Sequence, residues 1–567
     1  MMMKPIVLFW ILTILCGCHP TPRTKQSTAG IAPSCAATKT DDKEWYRLNQ
    51  KAPKLPGLEG IDFPITSRQP EVQDYINQGL MLAYGFNHAE AARSFFQAAR
   101  LDSTCAMAYW GFAYALGPNY NGGMEDDNYQ RAYQAILAAQ QHAHRASKRE
   151  QILIAALAKR YTAEPPEDRS ALDLAYATAM KKAYQQFPND ADIGALYAEA
   201  LMILHPWDLY IKETKAPQAW TAEIVMLLEK LIQQHPQHAG AHHFYIHAIE
   251  ASKEPEKALG SARVLDSLVK GAGHLLHMPS HIYINTGDYH LGTISNLNAI
   301  AADSIYTTAC HAQGMYPLAY YPHNQHFLAA TATLEGHAAL AWQAANAVQQ
   351  HTAKDLMNQP GWGTLQHYYS IPYYVGVKFN MYDSLINMPA PAQELIYPRA
   401  LWHYARGMAF LGKNKLQNSQ QELDKLMTLA ADTSLQNLTI WDINTTADLV
   451  QIAKRVLQAS LDMKQQRQQR AISLFKEAIA IEDQLNYNEP PDWFFSVRHY
   501  LGDALLNEKK FKEAEQVFQQ DLQIWKNNIW ALQGLHKALL AQHKTQEAKP
   551  IKLAMDKAGQ FANFNIP

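Results

Sequence analysis

The chain has 567 residues, with a formal net charge of −2 from 50 basic and 52 acidic side chains and a hydrophobic content of 48%. That length suits several ordinary domains or one long repeat array, and the apolar content suffices for a sizeable core. Balanced charge gives no sequence-independent attraction to phosphate backbones, which argues against a nucleic-acid partner, and no apolar run beyond the first twenty residues is long enough to span a bilayer.

Lys4 precedes an almost wholly apolar run from Ile6 to Leu15. The run has the length of a signal-peptide core rather than of a spanning helix. Leu15-Cys16-Gly17-Cys18 follows directly and resembles the lipobox of bacterial lipoproteins. The resemblance implies a lipoprotein signal over residues 1–18, lipidation at Cys18, and a lipid-anchored protein of the cell envelope, on the periplasmic or outer-membrane/surface side. An ordinary signal with two incidental cysteines is the alternative. Residues 19–70 mix Thr, Pro, Lys, Ser and Gly with little periodicity and read as a flexible tether. Cys35, Cys105 and Cys310 are too sparse for a disulfide framework. Cys105 and Cys310 read as small buried hydrophobes, with a single bridge left open.

From Val72 onward, helical periodicity is continuous and strand-type alternation is absent. Short Gly-, Pro-, Asn- and Asp-bearing loops punctuate it, as between antiparallel helix neighbours. The clearest repeat runs from Gly502 to Ala514 and Phe518: the glycine admits a close partner, the alanine marks the crossing, and the ring fills the groove one turn on. Gly79, Ala91 and Phe95 repeat the pattern, and Ala338 and Trp342 repeat its second half. Ala514 and Ala548 are 34 residues apart, the tetratricopeptide period.

The chain therefore resembles the tetratricopeptide repeat family. The resemblance implies an all-α, TPR-like α-α superhelix whose A helices line a concave groove for a peptide or protein. The units fall into a TPR-like array over residues 71–352 with a histidine-rich centre, divergent helical repeats over 353–440, and C-terminal repeats over 441–567.

Three blocks in the centre exceed what a generic repeat needs. The first holds His242, His243, Tyr245, His247 and Glu250; the second His274, His277 and His281; the third His323, Asn324 and His326. His243 and His277 are 34 residues apart, as are His247 and His281. Aligning Gly287 with Gly336 gives an offset of 49, one repeat plus a 15-residue insertion, and places His326 on His277 and His323 on His274. The expected arrangement is three columns across adjacent A helices: His243, His277 and His326; His247 and His281; His274 and His323. Spacings of three and four residues put rings on a shared helix face. Helix axes about 8–10 Å apart let rings on neighbouring helices meet.

His243, His247, His277, His281 and His326 are the candidate metal ligands. Glu250 is a candidate base, ligand or orienting group. His242, His274, His323, Tyr245 and Asn324 are candidate groove contacts. Mixed imidazole and carboxylate ligation suits zinc, iron, nickel or copper. No HExxH, paired CxxC or Asp-rich loop assigns a known class. A structural ladder of hydrogen-bonded imidazoles is the competing reading. Pro279 falls inside the second A helix, or else starts it. The insertion from Asp303 to Tyr321 is long for a connector and reads as a lid or binding loop. The loops at His205-Pro206-Trp207-Asp208 and Gly117-Pro118-Asn119-Tyr120-Asn121 rim the groove or are plain turns. Gly361-Trp362-Gly363 and His367-Tyr368-Tyr369 are weaker candidates for its far side.

The blocks are similar to those of a group of bacterial tetratricopeptide proteins and, more distantly, of tetratricopeptide repeat protein 38, which pairs a histidine-bearing A helix with a later His-Asn-x-x-His. Neither resemblance implies a reaction. Two functions follow. One is a membrane-anchored binding lipoprotein that holds a protein, peptide or small molecule in the His-lined groove. The other is a metal-dependent enzyme, hydrolase or oxidoreductase, with its site on the central A helices. A surface nutrient-binding lipoprotein of the SusD kind is a third idea without a supporting motif.

Overall fold

The computed structural model describes residues 42–310, 316–493 and 495–564. Helix packs on sequence-adjacent helix throughout, from Pro70–Tyr84 on His88–Leu101 to Ile529–Ala541 on Thr545–Ala558. The architecture is an all-α, TPR-like array of antiparallel helix pairs, and such stacking builds extended binding surfaces. A two-residue ribbon pairs Thr439–Ile440 with Asn444–Thr445.

The pairing of a glycine with a later phenylalanine has a direct steric cause. A Cβ on Gly502 would lie 2.3 Å from the Phe518 ring, and one on Gly534 would lie 2.2 Å from it. The ring is therefore clamped between the A helix of its own pair and that of the next. Phe95 is held in the same way by Gly79 and Gly111, and a Cβ on Gly376 would lie 3.1 Å from the Trp342 ring. Gly287 and Gly336 both close their A helices with positive φ, +81° and +82°, which explains why they align.

Helices far apart in the chain also meet. Helix Pro70–Tyr84 packs on helix Ala239–Ile249. From the other end, the Tyr289 hydroxyl donates to the Lys526 carbonyl at 2.7 Å, and Trp530 Nε1 donates to the Thr333 carbonyl at 3.0 Å. The apolar interior forms two large bodies, Trp45 to Tyr283 and Ile284 to Ala548, which divide inside helix Pro279–Thr286. The histidine-rich blocks lie at that seam.

Two expectations about irregular segments are corrected. Residues 19–70 were expected to be a tether, but within the described part the segment before Pro70 is a strap packed on the array. Phe63 is fully buried and stacks on Trp110 at 5.8 Å. Tyr75 donates to the Ala52 carbonyl at 2.8 Å, and Gly271 N donates to the Gly57 carbonyl at 2.8 Å. The insertion after Asp303 is not a loop over its described residues: helix Tyr289–Cys310 takes in its start, and a π-turn at Tyr316–Tyr320 leads into helix Tyr321–Leu334. Cys18 and Cys35 lie outside the described residues, and Cys105 is a buried free thiol. Among the described residues, no helix is long and apolar enough to cross a membrane.

Candidate metal centre

Three consecutive A helices build the site. The first, Ala239–Ile249, carries His243 and His247 one turn apart and reaches Glu250 at its C-cap. The second is Gly273–His277 continued by Pro279–Thr286 through a helical Met278 (φ −51°, ψ −36°). Pro279 thus lies within one helical path. Its missing N–H leaves the Leu275 carbonyl without the usual donor, while Met278 N still reaches the His274 carbonyl at 3.0 Å. The third helix is Tyr321–Leu334.

The rings meet in two groups of three. His243, His247 and His274 form one group; His277, His281 and His323 form the other. Within each group the ligand-capable atoms all lie within 4.8 Å of one another. The rule is a diagonal: two imidazoles four residues apart on one helix, completed by one from the start of the next. The groups abut, with ring centroids of His247 and His281 6.0 Å apart and those of His274 and His277 5.8 Å apart.

Hydrogen bonds and, at His281, ion-pair contacts hold these rings from behind. His243 Nδ1 lies 2.5 Å from the Tyr84 carbonyl, which can only accept. His247 Nδ1 is 2.9 Å from Glu250 Oε1, and His277 Nδ1 is 2.7 Å from Asn296 Oδ1. His281 Nδ1 lies 2.8 Å from Glu250 Oε2 and 2.5 Å from Glu489 Oε2. The acceptors behind His243, His247 and His277 place the proton on Nδ1 and leave Nε2 with its lone pair for the interior, whereas His281, beside two carboxylates, carries a proton on both nitrogens. His243 Nε2, His247 Nε2 and both ring nitrogens of His274 are buried without a hydrogen-bond partner. His277 Nε2 faces His281 Nε2 at 2.8 Å.

Charge follows the same plan. Burial first, and neighbouring imidazoles second, push His243, His274, His277 and His323 well below 6.5. They are neutral near pH 7, the form that binds a metal. Against the desolvation of its buried place, Glu489 and Glu250 hold His281 up at about 10. Burial raises Glu489 to about 7. Glu250 is lowered to about 2, because His247 and His281 outweigh its desolvation.

The column arrangement is corrected by this geometry. His323, expected only as a groove contact, closes the second group, and His274 closes the first; their predicted equivalence is seen. His326 is not in either group. Its ring lies 5.3 Å from His367 and 5.7 Å from Tyr368. The third helix carries Ala330 where the first two carry His247 and His281, so it lacks the one-turn pair. His242 turns away and bonds Ser261 Oγ at 2.9 Å and the Pro236 carbonyl at 3.0 Å. Tyr245 also points outward, donating to Glu229 at 2.9 Å. Asn324 donates to Asp303 at 2.6 Å. Asp303 also accepts from Tyr316 at 2.7 Å, and the Tyr316 hydroxyl in turn accepts from His274 N at 3.0 Å. Glu250 has both oxygens against Nδ1 atoms, so its place is that of an orienting group rather than a free base.

Sequence reasoning missed Glu489, Asn296, the Tyr84 carbonyl and Phe86. Phe86 lies against His243, His247 and His274 with centroids 4.5, 5.7 and 5.6 Å away. Glu489 stands in Glu489-Pro490-Pro491-Asp492-Trp493, a break in the repeat pattern that was the available signal. The two rimming loops do reach the site: Tyr120 and Trp207 stack at 5.4 Å, and both lie against His247.

No family model matches the chain, and no curated protein matches it. Among solved structures, it is similar to a human IFIT1 dimer with m7Gppp-AAAA at 10% identity, covering 88% of this chain and 92% of that one, with a TM-score of 0.29. It is similar to Cut9 in the Cut9–Hcn1 hetero-tetramer at 12% identity, covering 88% and 78%, with a TM-score of 0.26. Yeast Tom70 aligns at 12% identity over 87% and 94%, with a TM-score of 0.24. Likenesses this distant decide nothing about the site, and the architecture stands on the helix pairing itself.

Proposed function

We propose that this protein is a metal-dependent enzyme whose centre is a pair of adjacent three-imidazole sites at the seam of the superhelix. The observation that carries this reading is the buried, unpartnered set His243 Nε2, His247 Nε2 and the two ring nitrogens of His274. A buried polar atom without a partner costs roughly 1–3 kcal/mol. A structural ladder would pair these atoms with each other or with backbone, whereas one ion takes one nitrogen from each of the three rings. Orientation of His247 and His281 by Glu250 through Nδ1 is the usual support for metal-bound imidazole. Three protein ligands leave coordination positions for water or a substrate, as catalytic sites require. His323 is the one of the six rings that is only partly buried, and marks the side from which a small ligand enters.

The test is metal content of the purified protein after exhaustive dialysis. Two equivalents are expected. His243→Ala with His247→Ala leaves one, and so does His277→Ala with His281→Ala. Absence of tight metal in the folded wild type overturns the reading in favour of the ladder. The lipobox reading adds a location, with Cys18 tethering this enzyme in the cell envelope.

A further inference from the structure

We propose a second reactive site, separate from the histidine centre: Lys378 is a nucleophilic amine, His499 is its proton acceptor, Asp521 orients His499, and the substrate is a neutral aldehyde with an apolar group.

Three helices bring these side chains together. Lys378 ends helix Gly363–Lys378, His499 lies in the first turn of helix Val497–Asn507, and Asp521 lies in helix Phe511–Ile524. The Lys378 ammonium donates to His499 Nδ1 at 2.8 Å. His499 Nε2 donates to Asp521 Oδ2 at 2.9 Å. Asp521 is fully buried and accepts from Asn528 Nδ2 at 3.0 Å. It thereby holds the ring in one tautomer, with the Nδ1 lone pair aimed at Nζ. A base oriented by a third group in this way activates a nucleophile.

Charge agrees with the geometry. A buried ammonium is usually paired with a carboxylate. Among the described residues Lys378 pairs with none; beside His499, its neighbour is the face of Trp530, with Nζ 4.0 Å from the ring centroid. Burial lowers Lys378 to about 8, against the longer-range pull of Asp503 and Asp521. Burial first and Lys378 second lower His499, against Asp521. Near pH 7 the ring is therefore neutral and ready to take a proton.

The surroundings set the substrate class. Lys378 is only partly buried, and Asp503 is exposed on the helix that carries His499, so the amine can be reached. Phe379 lies 5.6 Å from Trp530 and 5.1 Å from Phe564, an aromatic group beside Nζ that suits an apolar substituent. Asp503 and Asp521 disfavour an anionic one.

The step balances. The ammonium passes a proton to His499 Nδ1, and the amine attacks the carbonyl carbon. An N–C bond forms, the C–O π pair moves to oxygen, and that oxygen takes a proton from the new ammonium nitrogen. His499 returns its proton to the hydroxyl, which leaves as water while the nitrogen lone pair forms C=N. The products are a protonated imine and water, with no oxidant or reductant.

The test uses the full chain in detergent with benzaldehyde and cyanoborohydride at pH 7, and maps adducts by peptide mass. The hydride turns each imine into a stable secondary amine. Lys378 is expected to label about tenfold or more faster than the exposed Lys549 of the same molecules. His499→Gln is expected to slow Lys378 about tenfold or more, with Lys549 and helical circular dichroism unchanged. Glyoxylate, an anionic aldehyde, is expected to show no preference for Lys378. A Lys378 rate at or below that of Lys549 in the wild type overturns the site without recourse to a variant. Unchanged Lys378 labelling in folded His499→Gln overturns the role of His499. Preferential labelling by glyoxylate overturns the substrate class.

Discussion

His277 Nε2 and His281 Nε2 face each other at 2.8 Å, one helical turn apart, while Asn296 and two glutamates occupy the opposite nitrogens. Two acceptors at that distance repel unless something positive stands between them. In the metal-free protein that is a proton; in the loaded protein it is the ion. Metal binding therefore releases a proton, and affinity rises with pH. Titration in weakly and strongly ionising buffers measures the proton; a pH-independent affinity with no proton released would contradict the geometry.

Stability of the metal-free protein should fall in acid. His243, His274, His277 and His323 are held well below 6.5 by burial and by neighbouring imidazoles. Below pH 6.5 the unfolded chain takes up their protons and the folded chain does not. Each group then costs about 1.4 kcal/mol per pH unit at its steepest. His281 has the opposite sign: its contribution is complete below 6.5 and is lost as pH rises through about 10. Thermal unfolding between pH 7.5 and 5 checks this, and a flat midpoint over that range contradicts it.

Glu250→Gln should weaken both sites together, because one carboxylate orients His247 and His281. Loss of such a partner lowers metal affinity about 10- to 100-fold. Competition against a chelator reads it. A change confined to one site, or none, would remove Glu250 from this role.

The strap before Pro70 should belong to the folded body. Phe63→Ala removes a fully buried ring from its stack on Trp110, a loss of about 3–5 kcal/mol. Chemical denaturation measures it. A change under about 0.5 kcal/mol, the scale of exposed positions, would restore the tether reading.

The anchor is tested separately. Acylation at Cys18 predicts that Cys18→Ser moves the protein from the membrane fraction to the soluble fraction. Membrane association unchanged by that substitution would discard the lipobox reading.

The legible part of the site was what the repeat period carries. His243 and His277, and His247 and His281, recur at 34 residues because consecutive A helices present the same face. Their grouping was not legible, since the stagger between neighbouring helices sets the diagonal that takes His274 and His323 and leaves His326 beside His367. Glu489 was out of reach because it arrives through the closure of the superhelix, about 200 residues downstream of His281. Phe63 was missed because an irregular strap has no period. The helix pairs themselves were readable wherever a glycine marks the approach of a ring, as at Gly502 and Phe518.

Anomalous diffraction from metal-loaded crystals tests the paired centre most directly. The geometry predicts two neighbouring peaks, one among His243, His247 and His274 and one among His277, His281 and His323. Peaks only at surface histidines such as His142 and His144, with the six inward rings unmoved and metal-free, would contradict it.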